Sequence, residues 1–298
     1  MACRTSILFA LLLSAMSAVA QGKWAAVNEA EYDSLGRVTR TFRATRLVNL
    51  HTTELMPKGS LDFRIAHRFG AFRTKLNNLY GLDGPATIQF RLDYSITDRL
   101  TVGIGRSSYK KMGDVFIKYK WFHQKQTGMP VSVALLASTN VIMDSDPTAN
   151  ITGLDRYAVL SNRLVYFFHG MVSRKFGPRF SAQLSPMLVH YNLVEKLNDK
   201  NDILAIGYGA RYKALDWLSV TAEYVQRTFR YSPDFRNYHN VLSLGVDLET
   251  SGHVFQVFVT NGYMINEAVV IPFTDGTWSD GNMMLGFNIS RTFDVLKK

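Results

Sequence analysis

The sequence predicts an all-β fold: a transmembrane antiparallel up-and-down β-barrel of about twelve strands (range 10–14). Three observations carry this. Segments of about ten residues alternate apolar and polar side chains from Gly59 onward, and a period of two is the mark of a strand. Many segments run ten to fourteen residues, nearer the ~9–11 of a tilted membrane strand than the ~5–6 usual in globular sheets. Short turns and longer connections nearly alternate, as they do between the two rims of a membrane barrel.

The clearest segment is Thr87–Ile96, where Ile88, Phe90, Leu92, Tyr94 and Ile96 share one face and Thr87, Gln89, Arg91, Asp93 and Ser95 the other. The same reading gives strands near 60–69, 86–96, 100–108, 114–123, 130–141, 160–176, 179–193, 202–214, 218–230, 238–249, 252–262 and 282–293. Turns at Thr97-Asp98-Arg99, Gln126-Thr127-Gly128, Gly177-Pro178, Asp216-Trp217 and Thr250-Ser251-Gly252 alternate with longer links near 70–85, 142–159, 194–201, 231–237 and 263–281. The link at 109–113 is short where a long one is due. No helix-period stretch interrupts the ladder, which excludes a parallel βα design. Tyr119, Trp121, Phe122, Tyr166, Phe167, Phe168, Tyr191, Tyr212, Trp217, Phe229, Tyr231 and Phe293 gather near strand ends, the pattern of an aromatic girdle at two bilayer interfaces.

The N-terminus predicts a secretory signal peptide over residues 1–20. Arg4 is followed by the apolar run Ile7–Leu13 and by Ala18-Val19-Ala20, with cleavage expected before Gln21. The run is well short of the ~20 residues of a spanning helix. Cys3 is the only cysteine and precedes that run, so the mature chain has no disulfide scaffold and no cysteine metal site. Residues 21–59 form a separate polar segment with Arg37, Arg40, Arg43 and Arg46 at threefold spacing. A periplasmic tail, a plug entering the lumen and a short helix all fit it. The barrel then occupies 60–298.

Composition narrows the function classes. Of 298 residues, 47% are hydrophobic and 19% charged, which excludes intrinsic disorder. A mean hydropathy of -0.04 without a long apolar run excludes a helical membrane protein. The net charge of +10 is spread along strands and loops, so nucleic acid is not the expected partner. Expected partners are outer-membrane lipids, the outer-membrane insertion machinery and a small anionic solute.

If the apolar faces meet lipid, the polar faces enclose a lumen. The candidate ligand-binding residues there are Arg64, Arg91, Asp93, Lys118, Lys120, Arg211, Lys213, Glu223, Asp247 and Glu249, with Gln89, Gln183 and Asn288 beside them. Basic residues are somewhat ahead, which favours anionic solutes. Twelve strands lie between the filled eight-strand size and open ~16–18-strand porins, so a pairing network that shuts the barrel stands beside the open-channel reading.

No His-Glu-x-x-His, Gly-x-Ser-x-Gly or phosphate-loop motif occurs, and no histidine begins a His-x-Ser pair. No catalytic residue, metal or cofactor is expected. Gly207-Tyr208-Gly209 sits inside a strand, where small residues give curvature or lumen space rather than a dinucleotide loop.

Several stretches also resemble a known family: Ile96–Ser107, Met129–Val133, Lys200–Gly207, Thr250–Gln256 and Gly286–Arg291. The sequence is similar over about Leu55–Phe293 to outer-membrane β-barrel proteins of Bacteroidota-like bacteria that form a domain family of unknown function. The resemblance implies an outer-membrane barrel and assigns no site residues. The last strand, Met283–Phe293, alternates and ends in an aromatic, resembling the signal read by the insertion machinery. The leading expectation is a narrow channel or solute-binding barrel. The alternatives are a closed structural or partner-docking barrel with loops 142–159 and 263–281 exposed, and a lipid-modifying enzyme.

Overall fold

The computed structural model describes residues 32–194, 199–228, 238–249 and 253–295. The signal peptide expected at 1–20, the start of the 21–59 segment, the Thr250-Ser251-Gly252 turn, and the girdle positions Phe229 and Tyr231 lie outside the described residues.

Twelve strands close into one antiparallel barrel. They are β1 (Ser60–Ala71), β2 (Thr87–Thr97), β3 (Leu100–Ser107), β4 (Gly113–Phe122), β5 (Ser132–Val141), β6 (Leu164–Lys175), β7 (Phe180–Tyr191), β8 (Asp202–Lys213), β9 (Leu218–Arg227), β10 (Val241–Glu249), β11 (His253–Thr260) and β12 (Met284–Asp294). Each pairs with its sequence neighbours, and β1 closes on β12 from Ser60↔Asp294 to Ala71↔Met284. Both barrel ends therefore share the rim that carries the short turns. The described helices are short and lie in connections; none is long enough to cross a membrane. Closure pairs the strands' backbone groups with one another, as a sheet within hydrocarbon requires.

The two faces sort by sequence parity. Phe90, Leu92, Ile104, Val115, Ile117, Leu184, Leu204, Val220 and Leu244 are exposed on the outside, while Gln89, Arg91, Asp93, Lys118, Gln183 and Glu223 are buried inside. Two girdle expectations are corrected by the same parity. Phe167 and Tyr191 are buried inside the barrel, because Phe167 shares its face with His169, and Tyr191 with Val189. Tyr119, Trp121, Phe122, Phe168, Tyr212, Trp217 and Phe293 are exposed, as a girdle requires.

The lumen is not polar throughout. Val165, Phe167, Met187, Val189, Tyr191, Ile203, Ala205, Val225 and Val241 make an inward apolar surface on β6–β10, toward the rim of the long connections. A helix, α1 (Glu267–Phe273), packs against it with Ala268, Val269, Val270, Ile271 and Phe273. The 263–281 loop, expected to be exposed, thus folds inward through α1. Asn266 caps the helix by accepting from the Ala268 amide at 2.9 Å, and the Tyr191 hydroxyl donates to the Ala268 carbonyl. The physical reason is hydrophobic: an apolar loop beside an apolar lumen wall leaves water.

From the opposite rim, the segment before β1 enters the lumen. Tyr32 and Val38 pair in a short hairpin, and Arg37 pairs with Lys125 of the β4–β5 turn. Residues 41–54 are nearly all buried. Residues 41–54 fill the lumen from this rim as a plug. Leu50 and Leu47 meet β8 where Gly207 and Gly209 face inward: a Cβ there would lie 2.4 Å from the Leu50 Cδ1 and 2.2 Å from the Leu47 Cδ1. The two glycines make the room these leucines use. Burying each leucine contributes about 1.5–3 kcal/mol.

The long β5–β6 connection, by contrast, exposes Ile151, Leu154, Val159 and Leu160. It is held by Asp146, whose carboxylate accepts from the Arg156 Nε at 3.0 Å and from the Thr148 amide at 2.9 Å. The Arg156 guanidinium, with Thr148, holds the Asp146 carboxyl well below the usual range.

Two outcomes follow from these contacts. Gly209→Phe is expected to keep the β-sheet circular dichroism of the barrel but to speed hydrogen exchange of amides 44–53, on the order of 10–100-fold, by evicting Leu47. Because the Asp146 carboxyl is depressed in the folded loop, its contribution is complete above the unfolded range of ~3.9 and fades only as pH falls through the lower folded value. Asp146→Asn should therefore loosen this loop at neutral pH, seen as faster tryptic cleavage after Arg156.

Candidate functional site

The site is the filled lumen. Arg64, Arg91, Asp93, Lys118, Lys120, Arg211, Glu223 and Asp247 are buried and face inward. The Glu249 side chain is nearly as covered and pairs with Arg211 at 2.6 Å. Lys213 stands apart: it is half-buried at the short-turn rim and pairs with Asp216 at 2.8 Å. Sequence parity also holds Asp62, Arg68 and Asp114 on this inner face, and they complete the buried wall.

The charges are segregated by strand. On β1, β2 and β4, Arg64, Arg68, Arg91, Lys118 and Lys120 outnumber Asp62, Asp93 and Asp114. On β8–β10, Arg211 lies against Asp247 and Glu249, and Glu223 adds a third acid. Setting Lys213 aside, these described wall charges balance, six of each sign. The basic surplus expected over the lumen is a property of one wall.

The plug is polarised to match. On the acidic side the Glu223 carboxylate accepts from the amides of Val48 (3.1 Å), Asn49 (3.0 Å) and Leu50 (2.9 Å), and from the Asn49 side chain (2.8 Å). Arg43 pairs with Glu249 at 3.0 Å. On the basic side Lys118 donates to the Glu54 carbonyl, and Lys120 lies 3.5 Å from the Glu54 carboxylate. Wall amides cover three plug carbonyls: Gln183 donates to His51 (2.8 Å), Gln256 to Leu47 (2.7 Å) and Asn288 to Val48 (3.0 Å). Buried backbone groups need such partners, and here wall side chains supply them.

The two inserts meet at the centre. Arg46 of the plug forms a buried ion pair with Glu267, the first residue of α1. His51 sits beside both, its Nε2 2.6 Å from an Arg46 nitrogen and 3.6 Å from the Glu267 carboxylate. The His51 ring also packs edge-on to Phe116 at 4.9 Å. Nothing in the alternation of the strands points to Arg46, His51, Glu54 or Glu267, because all four lie outside the strands.

Two cavities open at the short-turn rim, both bordered by the Glu54–Pro57 strap. One, of about 330 Å³, is bordered by Arg40, Arg43, Glu54 and Asp62; the other, of about 430 Å³, by Arg37, Arg40, Glu54 and Lys120. Among the described residues no group of three His, Cys, Asp or Glu side chains is placed to hold a metal ion.

Solved outer-membrane barrels align with the chain at low identity. An outer membrane channel from Pseudomonas putida F1 aligns over 81% of this chain and 98% of its own, with 13% identity and a TM-score of 0.48. A NanC porin aligns over 78% of this chain and 98% of its own, with 9% identity and a TM-score of 0.46. A KdgM porin gives 78%, 99%, 9% and 0.44 for the same four quantities. No curated protein matches the sequence. A family profile described as "Membrane bound beta barrel domain (DUF5777)" matches residues 42–293, spanning the plug and every strand, and the chain belongs to that family.

Proposed function

We propose that this chain is a gated, non-enzymatic passage for a small solute across the outer membrane, shut in the described state by its two inserts. Export through residues 1–20 and insertion through the terminal strand belong to the same reading. The observation that carries it is the way the plug is held. Its central residues, 47–50, are not built into the barrel ladder; wall side chains from Glu223, Gln256 and Asn288 hydrogen-bond its backbone. A segment bound in this way can leave without opening the barrel, whose own ladder is complete between β1 and β12. A segment that merely filled space would need no such polar fitting, because apolar packing would serve at lower desolvation cost.

The segregated charges support a passage in the same way. A lumen with one basic and one acidic wall orients a charged solute across its width. The basic wall favours an anionic one. No chemical step enters this reading.

Planar-bilayer recording tests it. Full-length protein is expected to show little current, and protein lacking residues 32–59 should show steady conductance. Current at background for both would overturn the passage and leave a closed scaffold barrel. Arg46→Met provides a milder opening. It leaves Glu267 buried without its cation, and breaking such a pair costs ~3–5 kcal/mol. Brief openings in an otherwise silent full-length channel are the expected trace.

A further inference from the structure

Glu54 is the plug's acidic contact with the basic wall, where Arg64 and Arg68 also donate to Thr45 and Asn49 of the plug, and its surroundings are those of a bound carboxylate. Its Oε1 accepts from the Thr41 amide at 3.0 Å, its Oε2 faces the Lys120 ammonium at 3.5 Å, and its carbonyl accepts from the Lys118 ammonium. Both lysines are buried. Glu54 borders both cavities at the short-turn rim, and Lys120 borders one of them.

We propose that Lys118 and Lys120 form a binding site for the carboxylate of a small anionic solute, and that Glu54 occupies this site as an internal stand-in while the plug is docked. The proposal rests on the barrel being a solute passage and names the class of solute. Its logic is one of exchange. A plug that withdraws removes one negative charge and leaves two buried ammoniums without it. Unpaired buried charge is strongly disfavoured. A solute carboxylate that enters as Glu54 leaves keeps the balance, so solute binding and plug release are linked through one site.

A second observation marks the same wall. Arg64 on β1 and Arg91 on β2 are cross-strand partners. Both are buried, and Arg64 Nε and Nη1 and Arg91 Nε and Nη2 have no hydrogen-bond partner. The Gln89 amide nitrogen nearby is likewise unpartnered. Unpaired donors of this kind are rare in protein interiors. Here they extend the anion-binding character of the wall beyond the lysines, toward the other rim. Beside the Arg91 guanidinium stand Asp93, 3.6 Å from its Nε, and Asp114, 2.6 Å from its Nη1. These acids keep the wall from holding an anion too tightly to let it pass.

The test is calorimetric titration of the detergent-solubilised full chain with succinate, at constant ionic strength set by chloride. Glu54→Gln keeps the side-chain shape and removes the competing charge. It is expected to bind succinate at least tenfold more tightly than the unaltered chain. Adding Lys118→Met to Glu54→Gln should return the affinity to the starting value or below. A gain under threefold in Glu54→Gln, or a gain that survives Lys118→Met, overturns the proposal. Heat-modifiable migration on gels verifies that each barrel is closed. Should Glu54→Gln fail that check, the chain lacking residues 32–59 gives the same reading, since it removes Glu54 altogether. The outcomes separate from those of the passage itself. Tight succinate binding with no current in the truncated chain keeps the site and rejects the passage; current that succinate does not alter, with no binding, keeps the passage and rejects the site.

Discussion

Hydrocarbon offers no hydrogen-bond partner to a peptide group. Every strand edge must therefore be paired, and the β1–β12 register from Ser60↔Asp294 to Ala71↔Met284 is what completes the pairing. Closure then dictates the rest. Twelve strands enclose a space wider than wall side chains alone fill, and wall groups that face inward have left both water and lipid. Those groups need partners. The chain supplies partners to many of them from outside its strands: the plug from one rim and α1 from the other.

The two inserts solve different problems. α1 covers the apolar inner surface of β6–β10, so its gain is hydrophobic and undirected. The plug lies against charged and amide side chains, so its gain depends on geometry. Glu223 alone takes three consecutive plug amides, a carboxylate nest that fixes the position of Val48–Leu50 to within a hydrogen bond's tolerance. Leu47 and Leu50 then enter the space over Gly209 and Gly207. Polar register and apolar fit thus specify one docked state. Buried charge pairs are weak sources of net stability and better sources of such specificity.

Much of this was legible in the sequence, for identifiable reasons. The period of two located twelve strands near the observed bounds, because burial on one face and lipid on the other leave little freedom of register. Parity also sorted Arg64, Arg91, Lys118 and Glu223 inward. It could not say what they face, since alternation names a side and not a partner. Phe167 and Tyr191 show where residue type misled: an aromatic near a strand end fits both a girdle and an inner core, and only parity separates them. The insertion of α1 was hidden because Glu267–Phe273 is seven residues long with Pro272 inside it, too short for a helical period. Gly207 and Gly209 were recognisable as small residues giving room, while the leucines that need the room lie more than 150 positions away in sequence.

The Arg46–Glu267 pair joins the two solutions. It lies where a segment entering from one rim meets a helix entering from the other, and both partners are almost wholly removed from solvent. Neither can stay buried alone at low cost, because the charge left behind has lost both water and counterion. His51, beside both groups, donates no fixed charge of its own when neutral, so it cannot replace either. Movement of α1 therefore weakens the plug, and movement of the plug weakens α1. Two inserts that enter the barrel from opposite rims are thereby coupled, and the coupling needs no longer pathway than a single buried contact.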